Sequence, residues 1–173
     1  MNEVLRKIKT RRSIKKYKSD ALPDDLLNEI LKAGTYAPSG MNKQSAIMVA
    51  ITDKETRDKL SKMNAMVMGN DTIDPFYGAP VVVVVLADKN VPTYIYDGSL
   101  VMGNLLLAAH SLNVGACWIH RAKEVFESEE GKSLLKSWGI EGDYEGIGNC
   151  ILGYSDQDKL IPITRKENYI YKI

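Results

Sequence analysis

Apolar positions recur along the chain either at helical spacing or in short unbroken runs, and the two patterns alternate. Val4, Leu5 and Ile8 share one helical face and predict a short first helix that stops near Thr10. Leu26, Leu27, Ile30 and Leu31 form a second stripe. Pro23 suits the first turn of that helix, Asp24 and Asp25 suit its positive end, and Gly34 then Pro38 close it. Ile47–Thr52 reads as a short strand, and a charged helix follows from about Asp53 to Met63. The valine run Val81–Leu86, introduced by Pro80, fits a strand buried on both faces. Thr93 is placed to cap a long helix reaching about Leu112. Ala116–Ile119 and Gly148–Tyr154 predict the third and fourth strands, with two short helices between them around Glu124–Ser128 and Gly131–Trp138. Residues after Asp156 form an irregular or extended tail containing Pro162. Met66–Gly78 is the one long loop, and a long loop in a compact domain is often a binding or lid element. The pattern predicts an α+β or α/β domain on a mainly antiparallel or mixed sheet.

Length and composition narrow this further. The 173 residues are expected to form one domain, 1–173. A hydrophobic content of 45% with 26% charged residues excludes a disordered chain. The longest apolar runs, Ala79–Ala87 and Leu105–Ala109, are too short to span a bilayer. The first residues have no apolar core of the kind a secretory signal needs, so a cytoplasmic protein is expected. Cys117 and Cys150 lie in separate apolar segments, which fits buried free thiols better than a metal site or a disulfide framework.

Charge is unevenly spread. Arg6, Lys7, Lys9, Arg11, Arg12, Lys15, Lys16 and Lys18 follow one another with no acidic residue between them, leaving 15 of the 23 basic residues to face all 22 acidic ones. Such a patch wants an anion. Only Tyr17 interleaves with the basic run and no nucleic-acid-binding motif follows, so a local phosphate gripped by one or two arginines fits better than a long polyanion.

Most familiar catalytic signatures are missing. His110 and His120 have no carboxylate at ligand spacing, and His110, in an apolar helix, reads as a satisfied or partly buried residue. There is no nucleophile elbow, phosphate loop or dinucleotide fingerprint, so a borrowed cofactor would carry the chemistry. Three segments favour one. Thr10-Arg11-Arg12-Ser13-Ile14-Lys15 offers two guanidiniums and hydroxyls to a phosphate. Ala37-Pro38-Ser39-Gly40-Met41-Asn42-Lys43-Gln44 offers paired donors and acceptors to the edge of a heterocycle. Gly115-Ala116-Cys117-Trp118-Ile119 lets an apolar strand pass close to a flat ring.

With these segments the sequence resembles the nitroreductase-like flavoprotein family. The resemblance extends to Asp97 and Asn104–Ala109 on the long helix, to Ile151-Leu152-Gly153-Tyr154, and to Arg165 in the tail. It implies a three-layer α/β/α sandwich with a mostly antiparallel central sheet, working as an intertwined homodimer with FMN at the subunit interface. The tail from about residue 156 would extend onto the partner. By resemblance, Arg11, Ser13 and Arg165 hold the FMN phosphate, and Arg12 lies near the phosphate or ribityl chain. Lys15 would face the N1–O2 side of the ring, where reduction leaves negative charge that a fixed cation stabilises. Pro38, Ser39, Asn42 and Gln44 would come from the other subunit, and Trp118 and Ile119 would pass beside the flavin.

The implied activity is FMN-dependent NAD(P)H oxidoreduction by a ping-pong mechanism. NADH or NADPH donates, and an electron-poor small aromatic acceptor such as a nitroaromatic or quinone follows. Neither nucleic acid nor membrane is an expected partner. The alternatives are a flavin-binding protein without fast turnover and a reductive dehalogenase-like flavoprotein. Two departures from the family pattern stand out. Ser45 and Ala46 follow Gln44 where the family often has Pro then an aromatic residue, and the acceptor-covering insertion is reduced to about Met63–Tyr77. Phe76 and Tyr77 either cover the flavin or are incidental aromatics of an exposed loop. Gly98 and Gly103 suit close approach of a partner helix, Asp97 suits a capping or pairing role at the interface, and Trp138 suits the edge of the core.

Overall fold

The structure is a computed structural model describing residues 2–158 and 160–173. Met1 and Lys159 belong to the predicted 1–173 domain and lie outside the described residues. Strands β1 (Ala46–Ile51), β2 (Val81–Asp88), β3 (Gly115–Ile119) and β4 (Tyr144–Gly153) form one sheet in the order β1-β2-β4-β3. Every pair of neighbours is antiparallel. Helices α2 (Asp24–Thr35) and α4 (Tyr94–Ser111) contribute to the core on one face of the sheet. On the other face lie α3 (Lys54–Val67), α5 (Ala122–Glu127) and α6 (Glu129–Ser137). The fold is thus α+β with an antiparallel sheet between two helical layers, as the resemblance implied.

The valine run explains the layering. On β2, Val82, Val84 and Leu86 join Leu60, Met63 and Phe126, whereas Val81, Val83 and Val85 join Ile30, Val101 and Leu105. Side chains alternate across a strand, so a strand covered on both faces needs no polar position. Each fully buried valine contributes roughly 1.5–3 kcal/mol relative to exposure.

Two boundaries differ materially from the sequence pattern, and the rest by a few residues at most. Helix α3 continues four residues past Met63, because Asn64 and Ala65 are themselves buried and the Asn64 amide donates to the His120 carbonyl at 2.9 Å. Strand β4 begins at Tyr144 rather than Gly148. Glu145 and Gly146 pair with Ala87 and Leu86, a stretch hidden because Glu and Gly are poor strand formers.

The glycines correct one expectation. A Cβ on Gly98 would lie 2.5 Å from Ile147 Cγ1, so Gly98 serves packing against the chain's own β4, not a partner helix. A Cβ on Gly103 would meet nothing within 4 Å. Phe76 is fully buried in the core and covers no site. Cys117 and Cys150 are free and buried, as expected, and burial pushes the Cys150 thiol up. Trp138 packs at 6.1 Å against Phe126, closing the core edge.

Candidate functional site

Helix α1 (Glu3–Thr10) is capped by Asn2, whose side chain accepts the Leu5 N–H at 3.2 Å. The chain then runs extended along the ends of β3 and β4. Ile14 N–H donates to the Ala116 carbonyl at 3.0 Å, Lys18 N–H to Tyr154 at 2.9 Å, and Asp156 N–H to Lys16 at 3.0 Å. The Tyr17 hydroxyl donates to the Ile14 carbonyl at 2.7 Å. This stitching holds Arg11 and Arg12 on the wall of a cavity of about 460 Å³. Helix α1, the last turns of α4, the start of β3 and the residues Ser155, Gln157, Asp158, Leu160 and Pro162 supply the other walls. Among the described residues, no helix is long and apolar enough to cross a membrane and no cluster of metal-ligand side chains occurs.

The guanidiniums in this cavity are under-bonded. Arg12 Nη1 donates to the carbonyls of Lys9 at 2.9 Å and Arg11 at 2.6 Å. Its Nε and Nη2 are buried without a partner, and so is Arg11 Nη1. Buried donors are nearly always satisfied, and a buried cation without a partner is costly. Nε–H and Nη2–H of one guanidinium share an edge and point in parallel, which is the fork that two oxygens of a phosphate or carboxylate accept. The chemistry of this wall fits an anion with several oxygens.

His110, near the C-terminus of α4, lines the same cavity, with its Nε2 2.9 Å from Thr10 Oγ1. Partial burial, then the positive charges of Lys7, Arg11, Arg6 and Arg12, hold the imidazole below its ordinary pKa. His110 is partly buried and hydrogen-bonded, as its sequence context implies. Its place on the cavity wall follows from the register of α1 against α4, where Lys7 Nζ donates to the Ser111 carbonyl at 3.2 Å.

The second predicted segment forms a different cavity of about 140 Å³, lined by Pro38, Ser39, Gln44, Asp97 and neighbours, with no residue in common with the first. Here the loop is closed on itself. Gln44 N–H donates to Ser39 Oγ at 3.0 Å and Gln44 Nε2 to Asn42 Oδ1 at 3.1 Å. Met41, Asn42 and Gln44 all hold positive φ, an arrangement non-glycine residues keep only when surroundings impose it. Asp97 imposes it, accepting from Gly40 N–H at 3.0 Å, Ser45 Oγ at 2.7 Å and Thr93 Oγ1 at 3.1 Å. Burial alone would raise the Asp97 carboxyl; these three donors outweigh it and hold it below the usual carboxylate range. The expected pairing role of Asp97 is therefore an anchor within its own chain.

The remaining predicted residues are dispersed in the single chain. Ser13 and Lys15 are exposed and lie outside the lining of the large cavity. Lys15 Nζ stands 5.7 Å from the Tyr77 ring, and its N–H donates to Gln157 Oε1 at 2.7 Å. Trp118 is half-buried, and Gly148 makes room for its indole, which a Cβ there would strike. Ile119 points to the opposite face and is buried in the core with Leu60 and Phe126. Arg165 is exposed on the tail and lines neither cavity. The loop carrying Tyr77 is pinned by Asp74. That carboxylate accepts from Arg57 Nη2 at 2.6 Å, Ser61 Oγ at 2.5 Å, Phe76 N–H at 2.9 Å and Gly78 N–H at 2.7 Å.

Comparison with known proteins bears on the family and the overall fold. The chain matches the Nitroreductase family over residues 8–70 and 72–154. A protein of Archaeoglobus fulgidus provisionally named NADH dehydrogenase/NAD(P)H nitroreductase is 33% identical over 165 residues, covering 92% of this chain and 89% of that protein. A relative of the same name from Methanothermobacter thermautotrophicus is 33% identical over 123 residues, where 67% of this chain spans 60% of the relative. A nitroreductase with bound FMN from Bacteroides fragilis superposes with a TM-score of 0.89 at 30% identity, over 100% of both chains. By family match across most of its length and by whole-chain structural likeness, the chain belongs to the nitroreductase family.

Proposed function

We propose that this protein is an FMN-dependent NAD(P)H oxidoreductase, acting as a homodimer on electron-poor acceptors such as nitroaromatics or quinones. The observation that carries the reading is the set of buried, partnerless guanidinium nitrogens on Arg11 and Arg12. They fit the phosphate of FMN, and the Bacteroides fragilis relative holds FMN. Bound FMN supplies a ring that takes hydride from NAD(P)H and passes it to the acceptor.

The chain's own residues bind, orient and balance charge. Arg12 has a two-donor edge and Arg11 a further donor without partners, while Ser13 is exposed and lies outside the cavity lining. Lys15 provides a cation for the negative charge that arrives on reduction, the logic of preorganised electrostatic stabilisation. Pro38, Ser39, Asn42 and Gln44 lie on a loop whose conformation Asp97 fixes. That loop opens onto a separate cavity, which is the arrangement needed if it serves the site of a second copy. The single chain also leaves apolar surface uncovered. Val4, Leu5 and Ile8 are exposed on α1, as are Ile161, Ile163, Ile170 and Tyr171 on the tail. Exposed apolar residues concentrated on these two segments support a tail reaching onto the partner with Arg165.

An absorption spectrum of the purified protein, followed by anaerobic NADH and then NADPH, tests the activity. Flavin bands bleached by either nucleotide are expected, and the faster one identifies the donor. Flavin bands that persist with both would leave a flavin-binding protein without turnover. A colourless protein that takes up no added FMN would overturn the reading. Sedimentation velocity tests the dimer, and removal of residues 160–173 is expected to weaken it.

A further inference from the structure

We propose that His110 belongs to the anion site and takes up a proton when a phosphate monoester or inorganic phosphate fills the cavity beside Arg11 and Arg12. The proposal rests on reading that cavity as the phosphate end of the FMN site.

The geometry assigns the imidazole's tautomer. Thr10 Oγ1 has one proton, and it donates that proton to the Arg6 carbonyl at 2.8 Å, as helical threonines do. Its oxygen therefore accepts from His110, 2.9 Å away, and Nε2 carries the hydrogen. Nδ1 is left with a lone pair and becomes the position for a second proton.

Two opposing fields act on that proton. His110 sits in the last turn of α4, where the negative end of the helix dipole favours imidazolium. Against it stand Arg6 and Lys7 from α1 and Arg11 and Arg12 from the segment that follows, with partial burial adding to the penalty. The segment leaving β4 brings one opposing charge to the cavity lining, Asp158, together with the neutral Gln157. With the cavity open, partial burial and then the four cations together disfavour the imidazolium. A dianionic phosphate on the guanidiniums cancels much of their field. The helix terminus and the new anion then act in the same direction, and Nδ1 takes a proton from hydronium or a buffer acid in the solvent. The donor's O–H bond breaks as the Nδ1–H bond forms, the conjugate base stays in solution, and no covalent bond to the anion is made. His110 is thus a positioning and charge-balancing residue for the anion, lining the same cavity as the arginine fork.

The chain has only two histidines, His110 and His120, so their ring protons are followed directly by NMR. The flavin-free protein is titrated with acid and base in phosphate-free buffer, then again with FMN, inorganic phosphate or riboflavin. His110→Gln identifies the signal. FMN and inorganic phosphate are expected to raise the His110 midpoint by about one pH unit or more, a tenfold linkage in affinity. Riboflavin, which lacks the phosphate, is expected to leave it in place, and His120 is expected to remain still in every arm. Flavin fluorescence reports binding independently. FMN bound with an unmoved His110 overturns the proposal, as does an unmoved His110 with both FMN and phosphate. A His110 moved by inorganic phosphate while FMN fails to bind keeps the anion-coupled histidine and overturns the FMN reading. In wild type, FMN affinity should fall as pH rises through the shifted midpoint, and in His110→Gln this step should vanish. The phosphate's own ionisation near pH 6 is common to both proteins and cancels in their difference.

Discussion

Arg57 and the Arg11–Arg12 pair are both guanidinium sites withdrawn from water, and their surroundings could hardly differ more. Arg57, under the loop that carries Tyr77, is fully provided for. Its Nε donates to the Ala79 carbonyl at 3.0 Å, Nη1 to Asp58 at 3.0 Å and Nη2 to Asp74 at 2.6 Å, with the Phe76 ring 5.5 Å away. Around Arg11 and Arg12 the cavity lining is mostly neutral, with Arg6 and Lys7 of like charge against Asp158, and three of their nitrogens have no partner to bond. A closed network of partners makes a structural arginine. An open one stores a demand that only a ligand meets, and it is the better pointer to function.

The largest effect is expected at the closed site. Arg57→Met leaves the Ala79 carbonyl without its donor and Asp74 without its cation, at a cost of about 2–3 kcal/mol. Thermal unfolding should show a midpoint lower by roughly 6–10 °C. Because the partners of Arg57 are within the chain, FMN affinity should change far less than stability. A variant that loses FMN before it loses Tm would erase the distinction between the two sites.

At the open site the order reverses. Arg11→Ala or Arg12→Ala removes charge-assisted bonds to the phosphate, and FMN Kd should rise by about 10- to 100-fold. The flavin-free protein should unfold at an unchanged or slightly higher temperature, since an unmet buried donor has been deleted. Fluorescence titration and calorimetry on the same samples separate the two quantities. Equal losses of affinity and stability would show that these arginines are structural after all.

Acid provides a third discriminator. Burial pushes Asp74 up, but Arg57, Ser61 and the N–H groups of Gly78 and Phe76 prevail and depress it. A carboxylate depressed by folding contributes stability above the unfolded pKa and loses it as pH falls through the folded one. The wild type should therefore lose stability below about pH 4. Asp74→Asn should be less stable at neutral pH and show a shallower decline in acid. Equal acid slopes for the two proteins would mean that Asp74 is not a principal source of the decline.

Which site was legible in the sequence follows from what each depends on. The eight basic residues between Arg6 and Lys18, the turn at Pro38 and the β3 segment are local, so the candidate segments and an α+β or α/β domain could be read from spacing, whereas the layered sandwich and the residue roles came from the family resemblance. Register between distant elements could not. Thr10 and His110 are 100 positions apart and meet only because α1 lies on the end of α4. Phe76 looked like a loop aromatic because Arg57 and Asp74, which turn its loop inward, are remote from it in pattern though near in sequence. Ile119 is a residue of an edge strand, and the face it takes depends on pairing with Asn149, which spacing does not disclose. Gly98 has the small size expected at a helix contact, but the neighbour it admits is Ile147 of its own sheet.

The smallest effect is the most informative about where the phosphate lies. An extended chain presents alternate residues to opposite sides, so Ser13 and Lys15 face away from Arg12 and Ile14, and only the latter two line the large cavity. If the cavity wall holds the phosphate, Ser13→Ala removes at most one exposed hydroxyl contact and raises FMN Kd about two- to fivefold, well below Arg12→Ala. The double variant should then be additive, because the two groups act from different sides. If instead Ser13→Ala equals or exceeds Arg12→Ala, the phosphate rests on the exposed side of the segment. The partnerless edge of Arg12 would then answer a different anion, and His110 with it.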